Sequence, residues 1–311
     1  MKLSLIIPCF NEEEALTPFY AELKRVLNEL DGYDFQILFI DDGSKDGTLA
    51  LMEKFAEQDK DVEYISFSRN FGKEAAMYAG FKNADGDYVA VMDADLQDPP
   101  SLLPRMLEIL SGGDYDSVAT RRKDRKGEPV IRSLCSKIFY KIVRKADKSD
   151  VADGARDFRL MKRSMVDAIV SMSEVNRFTK GIFGWIGFKT YWLPFENVER
   201  VAGKTKWDFK GLFNYSVAGI VNFSDLPLKL IFRFGCFFTF VSAAALIALL
   251  VLYLVNVKFS ILLPIVGFMA FFCGVILIAL GVLGRYIGNT YFETKRRPLY
   301  IVAKTNVDNV K

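Results

Sequence analysis

The chain is 311 residues long, 51% hydrophobic, 14% aromatic and 25% charged, too apolar for a disordered polymer and sized for one large or two smaller domains. It contains no histidine, which excludes Ser-His-Asp triads, histidine general bases and the common zinc ligand sets. The net charge of +3 hides an asymmetry: residues 121–148 carry eleven Lys/Arg against three Asp/Glu. That block predicts either a solvated helix face or an anionic partner, whether lipid, phosphate or nucleic acid.

The N-terminal MKLSLIIPCFNEEE has an apolar run too short for a secretory signal and turns acidic at once, so the first 230 residues are expected on the cytoplasmic side. Four cysteines (Cys9, Cys135, Cys236, Cys273) form no C-x-x-C pair, which predicts a reducing compartment without disulfides. Short runs rich in β-branched and aromatic residues predict strands at Leu3–Pro8, Phe35–Ile40, Val62–Phe67 and Tyr88–Met92. Helical patterns lie between them, around Glu14–Leu30, Gly47–Glu57 and Lys73–Lys82. Strand–helix–strand repetition predicts a parallel sheet with helices on both faces. Ligands of such sheets sit at the carboxyl ends of the strands, here Pro8-Cys9-Phe10-Asn11-Glu12, Asp41-Asp42-Gly43-Ser44 and Asp93-Ala94-Asp95.

Farther on, Ile131, Leu134, Cys135, Ile138, Phe139, Ile142 and Val143 follow helical spacing, with Lys137, Lys141, Arg144, Lys145 and Lys148 on another side. A second amphipathic pattern runs from Asp208 to Phe223. Both fit either a membrane interface or the face of the sheet. Two uncharged stretches follow, Phe234–Val257 (24 residues) and Phe259–Gly284 (26 residues), each longer than the roughly 20 residues a bilayer core requires. They predict two transmembrane helices joined near Lys258. Lys229, Arg233, Arg285, Lys295, Arg296 and Arg297 flank the pair, so both termini are expected in the cytoplasm. Gly267, Gly274, Gly281 and Gly288 recur every seven residues and predict a packing stripe, against the first span or a neighbouring subunit.

Two familiar phosphate motifs fail. No G-x-G-x-x-G follows a strand, and Gly203-Lys204-Thr205 lacks the first glycine of a P-loop, which would be Val198. Asp93-Ala94-Asp95 is not a calcium loop either, because Asp98 stands where glycine is needed. The aspartate pair remains. Two carboxylates at i and i+2 past an apolar strand face the same way and predict a hard divalent cation, Mg²⁺ or Mn²⁺.

PCFNEE (8–13), DDGSKDGT (41–48), SRNFGKEAAMYAG (68–80), MDADLQDPP (92–100) and GARDFRLM (154–161) resemble the family 2 glycosyltransferases. With RVAGKTKW (200–207) and two C-terminal helices, the order resembles the polyprenyl-phosphate hexose synthases, which include bactoprenol glucosyltransferases and dolichol-phosphate mannose synthases. The likeness spans almost the whole chain. It implies a GT-A-type α/β domain over residues 1–207, an interfacial segment over 208–230, a transmembrane hairpin over 231–288 and a cytoplasmic tail over 289–311.

The resemblance also implies roles. Pro8, Phe10, Asn11, Glu12, Asp42, Ser44, Lys73, Asp93 and Ala94 would bind the nucleotide-sugar, and Asp93, Asp95 and Gln97 the metal. Arg200 and Lys206 would fold over the donor phosphates, with Thr205 where the family usually has serine. Arg121, Arg132 and Ser136 would receive the lipid phosphate. Arg132 and Ser136 are also i and i+4, on one helix face. Asp157 matches the candidate base. The implied reaction inverts the sugar, from UDP-glucose or UDP-N-acetylglucosamine onto undecaprenyl phosphate, for modification of cell-envelope glycan. The protein would be a multi-pass enzyme of the bacterial cytoplasmic membrane, without nucleic-acid partners and oligomeric, a tetramer being the expected assembly. Alternatives are use of GDP-mannose and a non-catalytic membrane-anchored nucleotide sensor. A processive synthase is disfavoured: the three glutamines, Gln36, Gln58 and Gln97, begin no Q-x-x-R-W motif, and two helices enclose no channel.

Overall fold

The computed structural model describes residues 1–122, 155–172, 174–195, 226–255, 262–308 and 310. Arg132, Ser136, Arg200 and Lys206, both amphipathic patterns and the turn at Lys258 lie outside the described residues. Two compact units emerge, one formed by Met1–Gly219 with Arg297–Lys311 and the other by Ile220–Arg296.

In the first unit, β1 (Lys2–Cys9), β2 (Asp34–Asp41), β3 (Val62–Phe67) and β4 (Tyr88–Val91) are all mutually parallel. The helices between them are α1 (Glu13–Leu27), α2 (Thr48–Gln58) and α3 (Lys73–Asn83). A 3₁₀ turn (Pro100–Leu102) and α4 (Leu103–Ser111) lead to β5 (Ser117–Arg122). Then come β6 (Ala155–Lys162), α5 (Arg163–Ser171), α6 (Thr179–Trp185), β7 (Thr190–Phe195) and, after the second unit, β8 (Val302–Thr305). The strands form one eight-stranded sheet in the order β7-β5-β6-β4-β1-β2-β3-β8. The β4–β6, β5–β6 and β3–β8 pairs are antiparallel and the remaining four parallel. The expected α/β fold with a mainly parallel sheet is therefore present. The C-terminal segment, expected as a tail, supplies an edge strand.

Parallel strands covered on both faces read as near-continuous apolar runs, and β1 is an example, interrupted only at Ser4. Leu3, Leu5 and Ile7 are fully buried in one core with Leu16, Phe19 and Leu23 of α1. Ile6 points the other way, toward α3. A Cβ built on Gly80 would fall 2.1 Å from Ile6 Cγ2, so only glycine lets α3 lie this close to the sheet. The hydrophobic burial is distributed over both faces, which leaves the strand ends to carry polar residues.

The second unit contains α7 (Leu226–Leu254) and α8 (Leu262–Lys295), 29 and 34 residues long. They overlap most of the two stretches expected as membrane spans. Among the described residues one helical stretch, Phe271–Lys295, is long and apolar enough to cross a membrane, and none of it is buried. The helices meet through Phe238, whose ring lies 5.0 Å from Phe271 and 6.1 Å from Phe272. A Cβ on Gly274, Gly281 or Gly288 would meet nothing within 4 Å. Among the described residues, the glycine stripe is thus open at those three positions.

Candidate active site

Because β1 to β4 are parallel, their carboxyl ends reach one edge of the sheet, and the loops after them converge there. Strand β6 runs the other way, so its first residues arrive at the same edge. Val91 pairs with Arg159. Continuing that register by two residues sets Asp93 level with Asp157. Lys73, the first residue of α3, lies between them, with Nζ 2.5 Å from Asp93 Oδ1 and 2.6 Å from Asp157 Oδ2. Lys180 of α6 adds a second cation, 3.3 Å from Asp157 Oδ1. Burial would raise the Asp157 carboxyl, but Lys180 and Lys73 outweigh it and hold the group far below the usual carboxylate range. Burial likewise disfavours the Lys73 ammonium, and the Asp157 and Asp93 carboxylates reverse that, holding its pKa above the ordinary lysine value.

A cavity of about 440 Å³ opens beside this cluster, lined by Pro8, Cys9, Phe10, Glu12, Asp42, Asn70, Gly72, Lys73, Ala76, Asp93, Ala94 and Asp95. Its far wall depends on Asp42. Oδ1 of Asp42 accepts the Phe71 N–H at 2.6 Å, and Oδ2 accepts the Gly72 N–H at 2.9 Å. Burial pushes the Asp42 carboxyl up to about 6, although those two N–H groups oppose it. Neighbouring Asp41 is committed to structure, its carboxylate accepting Ser44 N–H at 2.9 Å and Ser66 Oγ–H at 2.7 Å. Gly43 has φ +68, and a Cβ there would fall 2.4 Å from the Arg69 carbonyl carbon, so the loops after β2 and β3 touch only because this residue is glycine.

Eight of the residues expected from sequence therefore share one cavity: Pro8, Phe10, Glu12, Asp42, Lys73, Asp93, Ala94 and Asp95. Asn11 and Ser44 do not line it. Asn11 N–H donates to Ser44 Oγ and Asn11 Oδ1 accepts from Lys45 N–H, both at 2.9 Å, so this pair clamps the β1–α1 loop to the β2–α2 loop. Gln97 also stands outside the lining, its Oε1 3.5 Å from Arg156 Nη2. Arg121 is exposed and pairs with Ala155 across the β5–β6 ladder, two residues from Asp157. Sequence reasoning missed Lys180, whose approach to Asp157 has no local signature. It also missed the ion pair between Arg156 Nε and the fully buried Asp98 carboxylate, at 2.8 Å. Asn70, Gly72 and Arg156 lay inside recognised motifs without a role.

Asp93 and Asp95 in one cavity suit a divalent cation held by one or two carboxylates and completed by phosphate oxygens. Among the described residues no group of three or more His, Cys, Asp or Glu gathers as a metal cage.

Residues 4–170 match the glycosyl transferase family 2 model. A Bacillus subtilis (strain 168) protein named as a glycosyltransferase, CsbB, is 44% identical over 308 residues, covering 99% of this chain and 93% of its own. The prophage bactoprenol glucosyl transferase homolog of Escherichia coli (strain K12) is 39% identical over 309 residues, covering 98% and 99%. Glucosyl-3-phosphoglycerate synthase of Mycobacterium tuberculosis, solved with Mn²⁺, UDP-glucose and phosphoglyceric acid, aligns with TM-score 0.49 at 17% identity, over 71% of this chain and 77% of its own.

Proposed function

The chain belongs to glycosyl transferase family 2, and from that premise we propose that it moves a hexose from a nucleotide-sugar to polyprenyl phosphate at a membrane. The observation that carries this reading is the cavity itself, where Asp42, Lys73, Asp93 and Asp95 converge and Asp157 is tied to Lys73. The name of the bactoprenol relative supports undecaprenyl phosphate as the acceptor and glucose as the sugar, with UDP-glucose as donor ahead of UDP-N-acetylglucosamine.

In the proposed reaction an oxygen of the lipid phosphate attacks the anomeric carbon, and the nucleoside diphosphate leaves with the bonding pair. One displacement inverts the centre, so an α-linked donor gives a β-linked lipid-phosphate sugar. With its second pKa near ~6 the phosphate is already largely ionised at neutral pH, and little base catalysis is required. Asp157, kept ionised by Lys180 and Lys73, orients the acceptor and its cations more than it removes a proton. Arg121, with Arg132 and Ser136, would receive the lipid phosphate, and Arg200 and Lys206 would cover the leaving diphosphate. Asp93 and Asp95 would hold Mg²⁺ or Mn²⁺ with the help of Gln97; when bound, the metal offsets charge on the departing diphosphate.

The proposal extends to location. Exposed side chains such as Phe232, Phe240, Leu254, Leu277 and Ile287 make α7 and α8 candidates for a two-span hairpin with both termini cytoplasmic. The open glycine stripe supports association between copies of this helix, up to the expected tetramer. A cysteine introduced at Lys311 and labelled by an impermeant reagent in intact cells refutes the topology.

The test of function incubates the purified full chain with undecaprenyl phosphate and labelled UDP- and GDP-sugars. Transfer from UDP-glucose to an acid-labile lipid product is expected. Transfer from GDP-mannose alone favours the mannose-synthase reading. Nucleotide binding without transfer from any donor favours a sensor.

A further inference from the structure

The last strand is stitched to the edge of the sheet by more than its ladder. β8 pairs with β3 at Ile65↔Thr305, Ser66↔Lys304 and Phe67↔Val302, with a register shift between Ser66 and Phe67. Asn306 Oδ1 accepts the Tyr64 N–H at 2.7 Å, and its Nδ2 donates to the Val62 carbonyl at 3.2 Å. Thr305 Oγ1 donates to the Tyr64 carbonyl at 2.6 Å. These contacts fix where the residues just before β8 must lie. The Ile301 carbonyl accepts the Ser68 N–H at 2.9 Å, and the Tyr300 ring stacks on Phe67 with centroids 4.8 Å apart and planes 15° from parallel.

Phe67 passes that contact on. Its ring meets Phe71 edge-on at 5.9 Å and 88°, and the Arg69 guanidinium lies 3.9 Å from the Phe71 centroid on the way. Phe71 and Gly72 supply the two N–H groups that hold Asp42. Asn70, Gly72 and Asp42 line the cavity, whereas Tyr300 does not. Gly72 has φ +98, a backbone state with little preference of its own to hold the loop. The geometry of residues 68–72 therefore depends on what packs behind them. The family match ends at residue 170, so the segment that does this packing comes from outside it.

We infer that Tyr300 is a positioning residue for the donor: through Phe67 and Phe71 its ring sets the two backbone N–H groups on Asp42 and pre-forms the nucleotide side of the cavity. The inference rests on the proposed function in assuming that this cavity takes a nucleotide. A role confined to holding the edge strand predicts something else, a lower thermal midpoint with donor and acceptor affected alike.

The experiment uses the purified full-length protein, with UDP binding followed by calorimetry and steady-state kinetics against both substrates. An aromatic pair is worth enough that Tyr300→Ala should raise the UDP Kd and the donor KM about tenfold, while the KM for lipid phosphate stays near wild type. Tyr300→Phe keeps the ring and should restore donor affinity, although it gives up the hydroxyl contact with Asn83. An unchanged UDP Kd in Tyr300→Ala overturns the inference, and so does an equal rise in both KM values. If Tyr300→Ala does not fold, Tyr300→Leu keeps the bulk without the flat ring, and a wild-type Kd there overturns it equally. A wild-type protein that binds neither UDP nor GDP overturns the proposed function, and with it the assumption on which Tyr300 was assigned.

Discussion

Lys73 Nζ stands 2.6 Å from Asp157 Oδ2, a contact made across 84 residues of sequence. It joins the first residue of α3 to the start of β6, and the same ammonium reaches Asp93. One cation thus bridges two carboxylates that the sheet register brings level, with Lys180 adding a second positive charge at Asp157. Lys73→Met should leave those acids in mutual repulsion. We expect kcat/KM to fall by about 10²–10³-fold, the scale of losing one group that stabilises charge in a transition state. The thermal midpoint should also drop in chelator, and the gap to wild type should narrow when Mn²⁺ supplies the missing positive charge. An identical gap with and without Mn²⁺ would argue that a bound cation does not offset the charge that Lys73 leaves on Asp93.

Asp42 makes a pH prediction. Its carboxyl is pushed up to about 6 by burial, above the ordinary value near ~3.9 of an unfolded chain. The folded state therefore holds the proton more tightly. The associated stability is complete below pH ~4 and is lost as pH rises through about 6. Asp42→Asn cannot ionise, so its thermal midpoint should stay flatter than that of wild type between those limits. Parallel curves for the two proteins would show that Asp42 binds its proton no more tightly folded than unfolded.

Much of this site was legible because the motifs at Pro8, Asp41, Ser68 and Met92 end or follow strands whose apolar runs are plain. Val62–Phe67 is bounded as expected, and Leu3–Pro8 and Phe35–Ile40 differ from the observed strands only by one residue at each end. The turn residues after them had to meet at one edge once the strands were parallel. Lys180 was not legible, since a lysine in a seven-residue helix carries no periodicity that points to Asp157. Nor was β8: Val302-Ala303-Lys304-Thr305 is four residues with two exposed, too short and too polar to announce a strand. Its pairing is set by Asn306 and Tyr300 through tertiary contacts. Asn11 and Ser44 show that a polar residue in a binding motif can also serve the loop, since the pair ties the β1–α1 loop to the β2–α2 loop.

Asp95 tests the metal. It lines the cavity beside Asp93 and accepts the Gln97 N–H at 3.1 Å, so the asparagine variant can keep that bond through its carbonyl oxygen. What it loses is charge. Asp95→Asn should therefore fold normally, fail to bind Mn²⁺ in the presence of UDP, and lose transfer at any Mn²⁺ concentration. Paramagnetic resonance of free Mn²⁺ reads the first outcome directly, and near wild-type uptake would remove Asp95 from the metal site.

The Asp98–Arg156 pair separates positioning from stability. Asp98 is fully buried, its Oδ1 lies 2.8 Å from Arg156 Nε, and its Oδ2 has no hydrogen-bond partner among the described residues. Burial pushes the Asp98 carboxyl upward while Arg156 opposes it. Removing only the cation, as in Arg156→Met, strands a buried acid and should cost about 3–5 kcal/mol, or less where Asp98 takes up a proton. Removing both charges, as in Asp98→Asn with Arg156→Met, should recover more than half of that loss, because a buried pair rarely repays its desolvation. Activity should not recover with it. Arg156 Nη2 reaches Gln97 Oε1, and Arg156 precedes Asp157 in β6. Between Asp95 and Gln97, Leu96 has φ +57, a conformation a leucine keeps only where its surroundings impose it. With the pair gone, Gln97 loses its Arg156 contact, and the residue before Asp157 loses the ion pair that fixes it. A double variant that is stable but inactive is the expected result. One that regains full transfer would show the pair to be structural alone, and one no more stable than Arg156→Met would show that its two charges do not act as a unit.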